Sequence, residues 1–436
     1  MANVVTGNGG VMHPRVRQAT GVVTAVAGAV IFSAAAVVGQ APARAAASAP
    51  APAPRAAAAA AAKEDLSVLG YVTGYKAPRT PWGDPDLQGV WNGNDLQGVP
   101  TTRAATVGTR MILTDDEHRQ RVAQRDRTVE TDNLDFDLEK AEEFASMGTV
   151  GGPVSPPPHW LERAKNVSRL SSFLIDPPNG QYPAILPAAQ AARAERQKLA
   201  AERRATLQGR EADSYTDRSN YDRCISLGPL GSLTPKIYNS GNRIVQGPGW
   251  FAWSQEMIHE TRVIPTDGRA PVSPAITSWM GTSVGRWEGD TLVVTTTGLK
   301  PEVLFQQVPL SSEGKLIERF TRVGPKTLEY KMTVDDPNTF AAPFTIMLPL
   351  PLDEEYIFAE YACHEGNYTM FNILSGSRRD EQLQAEAAAK GLPNPLAPAG
   401  GRGGGRGAGG GRGGRGGAPG GAAPAPGAPQ RGGAAN

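Results

Sequence analysis

Cysteine is almost missing from this 436-residue chain, and acidic residues are missing from both of its ends. Residues 1–62 and 402–436 carry nine arginines and no aspartate or glutamate. Setting those nine aside leaves 35 basic against 43 acidic residues, so a net charge near −8 lies between the ends although the total is +1. An acidic interior argues against a nucleic-acid-binding body, which would need a basic face for the phosphates. The interior also has no P-loop, G-x-G-x-x-G, H-E-x-x-H or C-x-x-C string. Nucleotide phosphates, dinucleotides, a metalloprotease zinc and a paired-thiol redox centre therefore lack their usual frames. No cofactor and no metal are expected.

The two cysteines, Cys224 and Cys363, leave two readings open. In an oxidising compartment they pair, closing a long loop worth about 4–5 kcal/mol in the chain-entropy picture. Otherwise they are two separate buried thiols, since spacing alone does not bring two Cα atoms within bridging distance.

The ends have their own logic. Arg15 and Arg17 precede an uncharged run over residues 21–39, and Ala43-Arg44-Ala45 follows in A-x-A form. That is the layout of a signal peptide over 1–45, which places the protein in the periplasm or outside the cell. An uncleaved membrane anchor is the alternative, because the uncharged run is long. Residues 46–75 read as an Ala/Pro-rich linker, 76–380 as the globular domain, and 393–436 as a disordered Gly/Arg/Pro-rich tail. The tail is similar to an RGG box but has no Phe or Tyr between its arginines to stack on bases. No nucleic-acid partner is expected for it, only weak contact with anionic cell-surface polymers.

Helical signals concentrate in the first half of the body. Thr114-Asp115-Asp116-Glu117 is a capping box for a helix to about Arg127. Residues 135–147 read as a second helix, and Pro187 opens a third that ends near Leu207. Beyond Arg243 the period changes to two. Phe251 and Trp253, then Leu292, Val294 and Thr296, then Leu328, Tyr330, Met332 and Val334 alternate with polar residues. Phe344, Ile346 and Leu348 repeat the pattern, as do Tyr356 and Phe358. Such alternation marks antiparallel strands with one buried face. The expected fold is mainly β (α+β): an antiparallel meander, barrel-like or a strongly curved sheet, with helices and long loops in the first half.

Several strings occur together in this body: Arg79-Thr80-Pro81 with residues 84–91 (DPDLQGVW), residues 176–180 (DPPNG), 256–269 (EMIHETRVIPTDGR), 285–294 (GRWEGDTLVV), and 363–367 (CHEGN). As a set they resemble a family of exported, functionally uncharacterised proteins from environmental bacteria. The resemblance spans roughly residues 76–378. It implies a common fold and supports the domain limits, and it brings no activity with it.

Chemistry must come from few residues. Of five histidines, His13 lies in the leader, His118 on a polar helix and His159 in a proline-rich loop. If the alternation begun by Phe251 continues, His259 points with the apolar side chains, and His364 ends the strand that holds Tyr356 and Phe358. The binding residues expected are therefore Glu256, His259, His364 and Glu365, with Trp250 and Arg262 beside them. Trp253 is the expected core tryptophan. An ion-paired structural network, with Arg262 as an obvious partner, competes with any binding role. Three functions follow: binding of a small ligand in a sheet-lined pocket, a hydrolase or isomerase using His259 or His364 with a nearby Glu, and a structural envelope protein without ligand.

Overall fold

The computed structural model describes residues 64–134, 160–273, 275–365 and 367–397. The leader, most of the linker, the helix expected at 135–147 and the tail beyond 397 lie outside these residues. All described residues belong to one unit, Ala61–Asn436.

The period-two segments form two antiparallel sheets. Strands β1 (Gly89–Asn92), β3 (Gly241–Gly247), β4 (Trp250–Gln255) and β5 (Thr261–Pro265) make a four-stranded sheet in that order. The second sheet has the order β2-β12-β11-β10-β7-β6. Its members are β2 (Leu174–Asp176), β6 (Thr282–Glu288), β7 (Thr291–Thr297), β10 (Lys315–Gly324), β11 (Thr327–Asp335) and β12 (Phe344–Pro351). Two short strands, β8 (Leu304–Phe305) and β9 (Val308–Pro309), pair only with each other. The β6–β7 hairpin turns at Gly289, whose φ of 63° suits a residue without Cβ.

Register confirms the alternation. Leu328, Tyr330, Met332 and Val334 are all buried, facing Arg322, Phe320, Glu318 and Leu316 on β10. On β12 their partners are Leu350, Leu348, Ile346 and Phe344. The two sheets nearly join along one side, where Trp91 bridges Leu352 and the Asp353 N–H donates to the Val90 carbonyl at 2.9 Å. On the other side β5 packs against β6 around Gly285 without a ladder between them. The expected barrel is therefore not closed.

Aromatic rings fill the space between the sheets. Trp253 meets Phe320 at 4.9 Å and Tyr330 at 5.0 Å, while Phe251 meets Phe320 at 5.1 Å. Such contacts contribute both area burial and edge-to-face attraction. Arg262 and Glu318, at inward positions of β5 and β10, close the remaining space as an ion pair.

Helix α1 (Asp115–Leu134) starts at the expected capping box, with the Thr114 N–H donating to Glu117 at 2.8 Å, and it continues past Arg127. Helix α2 (Pro187–Leu207) has the bounds read from sequence, and a short α3 (Gly228–Leu233) follows. Helix is not confined to the first half, because α4 covers Thr369–Ala389 and carries the folded body past residue 380. Among the described residues no helix is long and apolar enough to cross a membrane.

The linker reading also needs correction at its end. Residues 64–73 lie as a strap over the second sheet. The Val72 N–H donates to the Val323 carbonyl at 2.9 Å, and the Tyr71 hydroxyl donates to Glu329 at 2.7 Å. Burial, with the Glu329 charge, pushes the Tyr71 phenol far above its ordinary pKa. The strap turns at Gly70, where φ is 84° and a Cβ would collide with the Thr327 side chain. Gly70→Ala is expected to lose about 1–3 kcal/mol from conformational strain and crowding. Urea unfolding followed by circular dichroism checks this, and an unchanged midpoint would count against the strap.

Candidate functional site

The segment after β4 departs from the strand that the alternation implies. The chain makes one turn over Met257–His259, with Ile258 at φ 61° and His259 at φ 47°. Left-handed backbone is costly for any residue with a Cβ and most of all for a β-branched one. The turn is held by the Gln255 N–H to the Glu260 carbonyl at 2.8 Å and the Glu256 N–H to the Gly241 carbonyl at 2.9 Å. Met257 and Ile258 are buried beneath it. The two left-handed residues reverse the expected faces, so His259 is exposed and Glu260 is buried.

His259 then meets the segment that was expected to be a strand through Tyr356 and Phe358. That segment is irregular from Tyr356 to Cys363. His259 Nδ1 lies 2.8 Å from the Tyr361 carbonyl oxygen. A carbonyl only accepts, so Nδ1 carries a proton, and in the neutral imidazole Nε2 is the nitrogen with the lone pair. The His364 ring centre is 6.1 Å from that of His259, and His364 is exposed too. Next to it Cys363 is joined to Cys224 in a disulfide with Cα atoms 5.8 Å apart, which settles the pairing left open by the sequence. The Asn367 amide donates toward Cys224 Sγ at 3.1 Å. Beneath lie three tyrosines. The Tyr221 hydroxyl is 3.2 Å from that of Tyr238 and 3.4 Å from that of Tyr361, and burial pushes the Tyr221 phenol up to about 12.

The other expected residues go elsewhere. Glu256 points inward and accepts from Tyr356 at 2.7 Å, Asn239 at 3.0 Å and the Ala359 N–H at 3.0 Å. Gly241 makes this approach possible, since a Cβ there would sit 2.6 Å from the Tyr356 ring and 2.7 Å from Glu256 Oε2. Glu260 is buried under the hydroxyls of Ser226 and Ser232. Arg262 faces the intersheet core and binds Glu318 through both terminal nitrogens, at 2.8 and 2.6 Å. Trp250 stands half-exposed at the start of β4, and Glu365 is exposed beside His364. Only the two histidines and Glu365 share one surface, and no acid–base pair forms between an imidazole and Glu256 or Glu260.

Against the expectation that the chain holds no G-x-S-x-G string, one stands at Gly281–Gly285, at the start of strand β6 rather than on a strand-to-helix elbow. Its Ser283 hydroxyl is 2.8 Å from that of Thr296, without a histidine partner among the described residues, so the string nominates no nucleophile.

A cavity lies away from the histidines, between the strap and the edge of β2. It has a volume of about 600 Å³. Leu66, Val72, Met111, Ile175 and Pro178 give it apolar walls, and Ser67, Thr73 and Thr109 add hydroxyls. Glu64 and Asp65 also belong to the lining. Glu64 accepts the N–H groups of Met111 and Ile112, each at 2.7 Å, and ties the strap to the next loop. Hydrogen bonds from Ser67 hold the Asp65 carboxyl below its ordinary pKa. Among the described residues no Lys, Arg or His lines the cavity. Of its residues only Pro178, in the 176–180 string, was singled out from sequence, although bulky apolar side chains do begin at Leu66, inside the supposed spacer. Among the described residues no group of three or more His, Cys, Asp or Glu gathers as metal ligands would. Comparison of the chain with protein-family models, with curated proteins and with solved structures finds no match.

Proposed function

We propose that this is an exported protein that binds a small neutral or cationic ligand in the cavity beneath the 64–73 strap. The observation that carries the reading is the cavity itself: about 600 Å³, within the usual range for small-molecule sites. Its apolar walls favour a ligand with hydrocarbon surface. Acidic groups in the described lining, with no basic group there, disfavour an anion. The leader and the joined cysteines both fit an oxidising compartment outside the cytoplasm.

Thermal unfolding in the presence of small alkylammonium ions, matched alcohols and matched carboxylates tests this. Saturation at a hundred times Kd raises stability by about 2.7 kcal/mol, and the ammonium or alcohol series is expected to produce that rise. Thr109→Trp, at an exposed position of the lining, should fill the cavity and abolish the shift while leaving the unliganded Tm in place. Equal shifts from carboxylates, or a shift that survives Thr109→Trp, would remove the reading.

A further inference from the structure

We infer that His259 and His364 form a two-imidazole site for a divalent transition-metal ion of the copper, nickel or zinc type. The site shares no residue with the strap cavity, so each can stand or fall alone.

The first support is the tautomer. Metal-ligating histidines generally donate their second ring N–H to a carboxylate or a backbone carbonyl, which fixes the ring and raises its basicity. His259 does this through Nδ1 and the Tyr361 carbonyl at 2.8 Å, so its Nε2 lone pair is left for a ligand. The second support is separation. An ion about 2.0–2.1 Å from a nitrogen of each ring would lie between ring centres roughly 5–6.5 Å apart, and the centres here are 6.1 Å apart. The His364 ring makes no hydrogen bond among the described residues, so it can rotate the small distance that coordination needs.

The third support is the backbone beneath each ring. His259 sits on a turn pinned by buried Met257 and Ile258, with two consecutive non-glycine residues left-handed. His364 directly follows a disulfide-bonded cysteine. Both imidazoles are thus carried on fixed main chain, which limits the ordering entropy of binding. Packing of two exposed imidazoles gains little by itself and gives no reason for a β-branched residue at φ 61°.

Two nitrogens leave the other coordination positions to water or to a ligand from solution. Neutral imidazole suits copper, nickel and zinc better than calcium or magnesium, and Cu²⁺ leads that order. Cu²⁺ is therefore the sharpest probe.

The experiment titrates metal-free exported protein with Cu²⁺ and follows it by electron paramagnetic resonance. One equivalent should bind with hyperfine coupling to two imidazole nitrogens, and Ni²⁺ or Zn²⁺ should compete more weakly. His259→Asn keeps a residue that tolerates the left-handed backbone. It and His364→Asn should each weaken binding by about tenfold or more and reduce the coupled nitrogens to one. Tm without metal should be unchanged in His364→Asn and fall by no more than a few degrees in His259→Asn, which also gives up the hydrogen bond to Tyr361, so loss of the site is separated from loss of the fold. A double variant that keeps the full uptake, with unchanged coupling, would overturn the assignment, as would a wild-type protein that takes up no stoichiometric Cu²⁺.

Discussion

Arg262→Met is expected to cost about 3–5 kcal/mol of stability, as breaking one side of a buried ion pair does. Glu318 is 0% exposed and receives Arg262 at 2.8 and 2.6 Å, Tyr330 Oη at 2.8 Å and Thr296 Oγ1 at 3.0 Å. Removing the guanidinium leaves a carboxylate between two sheets with hydroxyl donors alone, and its desolvation is no longer offset. Arg262 also covers the Trp253 ring at 5.2 Å, so some packing is lost with the charge. The double variant Arg262→Met/Glu318→Leu should recover most of the loss, because replacing both members of a buried pair by apolar groups is often near neutral. Urea unfolding of the two singles and the double closes the cycle. A single variant within about 1 kcal/mol of wild type would mean that the pair does not hold the sheets.

The pair also sets an acid limit. Burial alone would raise the Glu318 carboxyl, but the Arg262 charge and the bonds from Arg262, Tyr330 and Thr296 outweigh burial and hold it below its ordinary pKa. A depressed folded-state pKa gives stability that is fully present above the unfolded value, about 4.3 for glutamate. That stability is lost as pH falls through the lower folded value. The double variant should therefore show a shallower loss of stability below about pH 4 than wild type.

The sheets were legible because their signal is local. Leu328 to Val334 alternate strictly, and their burial follows from facing Phe320 and Leu348 across the ladders. The same rule misplaced His259. Continuing the alternation of Phe251 and Trp253 through the next residues turns His259 inward, and nothing in Met257-Ile258-His259 announces a break. A Gly or Asn would have signalled the left-handed turn, whereas Ile258 argues against it. His259 and His364 do approach, with ring centres 6.1 Å apart, but on the exposed surface rather than inside a sheet-lined cavity, and through the disulfide and the Tyr361 carbonyl rather than through shared strand faces.

Long-range pairings were out of reach for a different reason. Arg262 reads as a partner for nearby acids, yet it binds a glutamate 56 residues later. The available clue was positional: Glu318 lies between Leu316 and Phe320 on an inward face, and a charge there needs an opposite charge from another strand. The strap hid for compositional reasons. Its few bulky residues follow an Ala/Pro run, and only the folded sheet shows what Leu69 and Tyr71 cover.

Loss of the Cys224–Cys363 bond is the second large effect expected. Cys224→Ala/Cys363→Ala should lower stability by about 2–5 kcal/mol, toward the upper end because the joined residues are 139 apart in sequence. Most of that comes from the unfolded chain, which gains the freedom that the crosslink removed. A second, local effect should accompany it. The segment from Tyr356 to Glu365 has little apolar anchorage, with Ile357 86% exposed. Besides the disulfide it is held by Tyr356 on Glu256 and Glu162, by the Ala359 N–H on Glu256, by Arg243 over the Phe358 ring, and at Tyr361 by the carbonyl on His259 and the hydroxyl near Tyr221. Without the crosslink its C-terminal end should open first, separating His364 from His259 before the sheets unfold. Hydrogen exchange of the double variant should then show backbone protection at position 363 lost well below global unfolding, while β11 keeps its protection. Equal exchange at that position with and without the bond would show that the hydrogen bonds alone fix this segment, and a stability loss under about 1 kcal/mol would show that the loop constraint is not expressed.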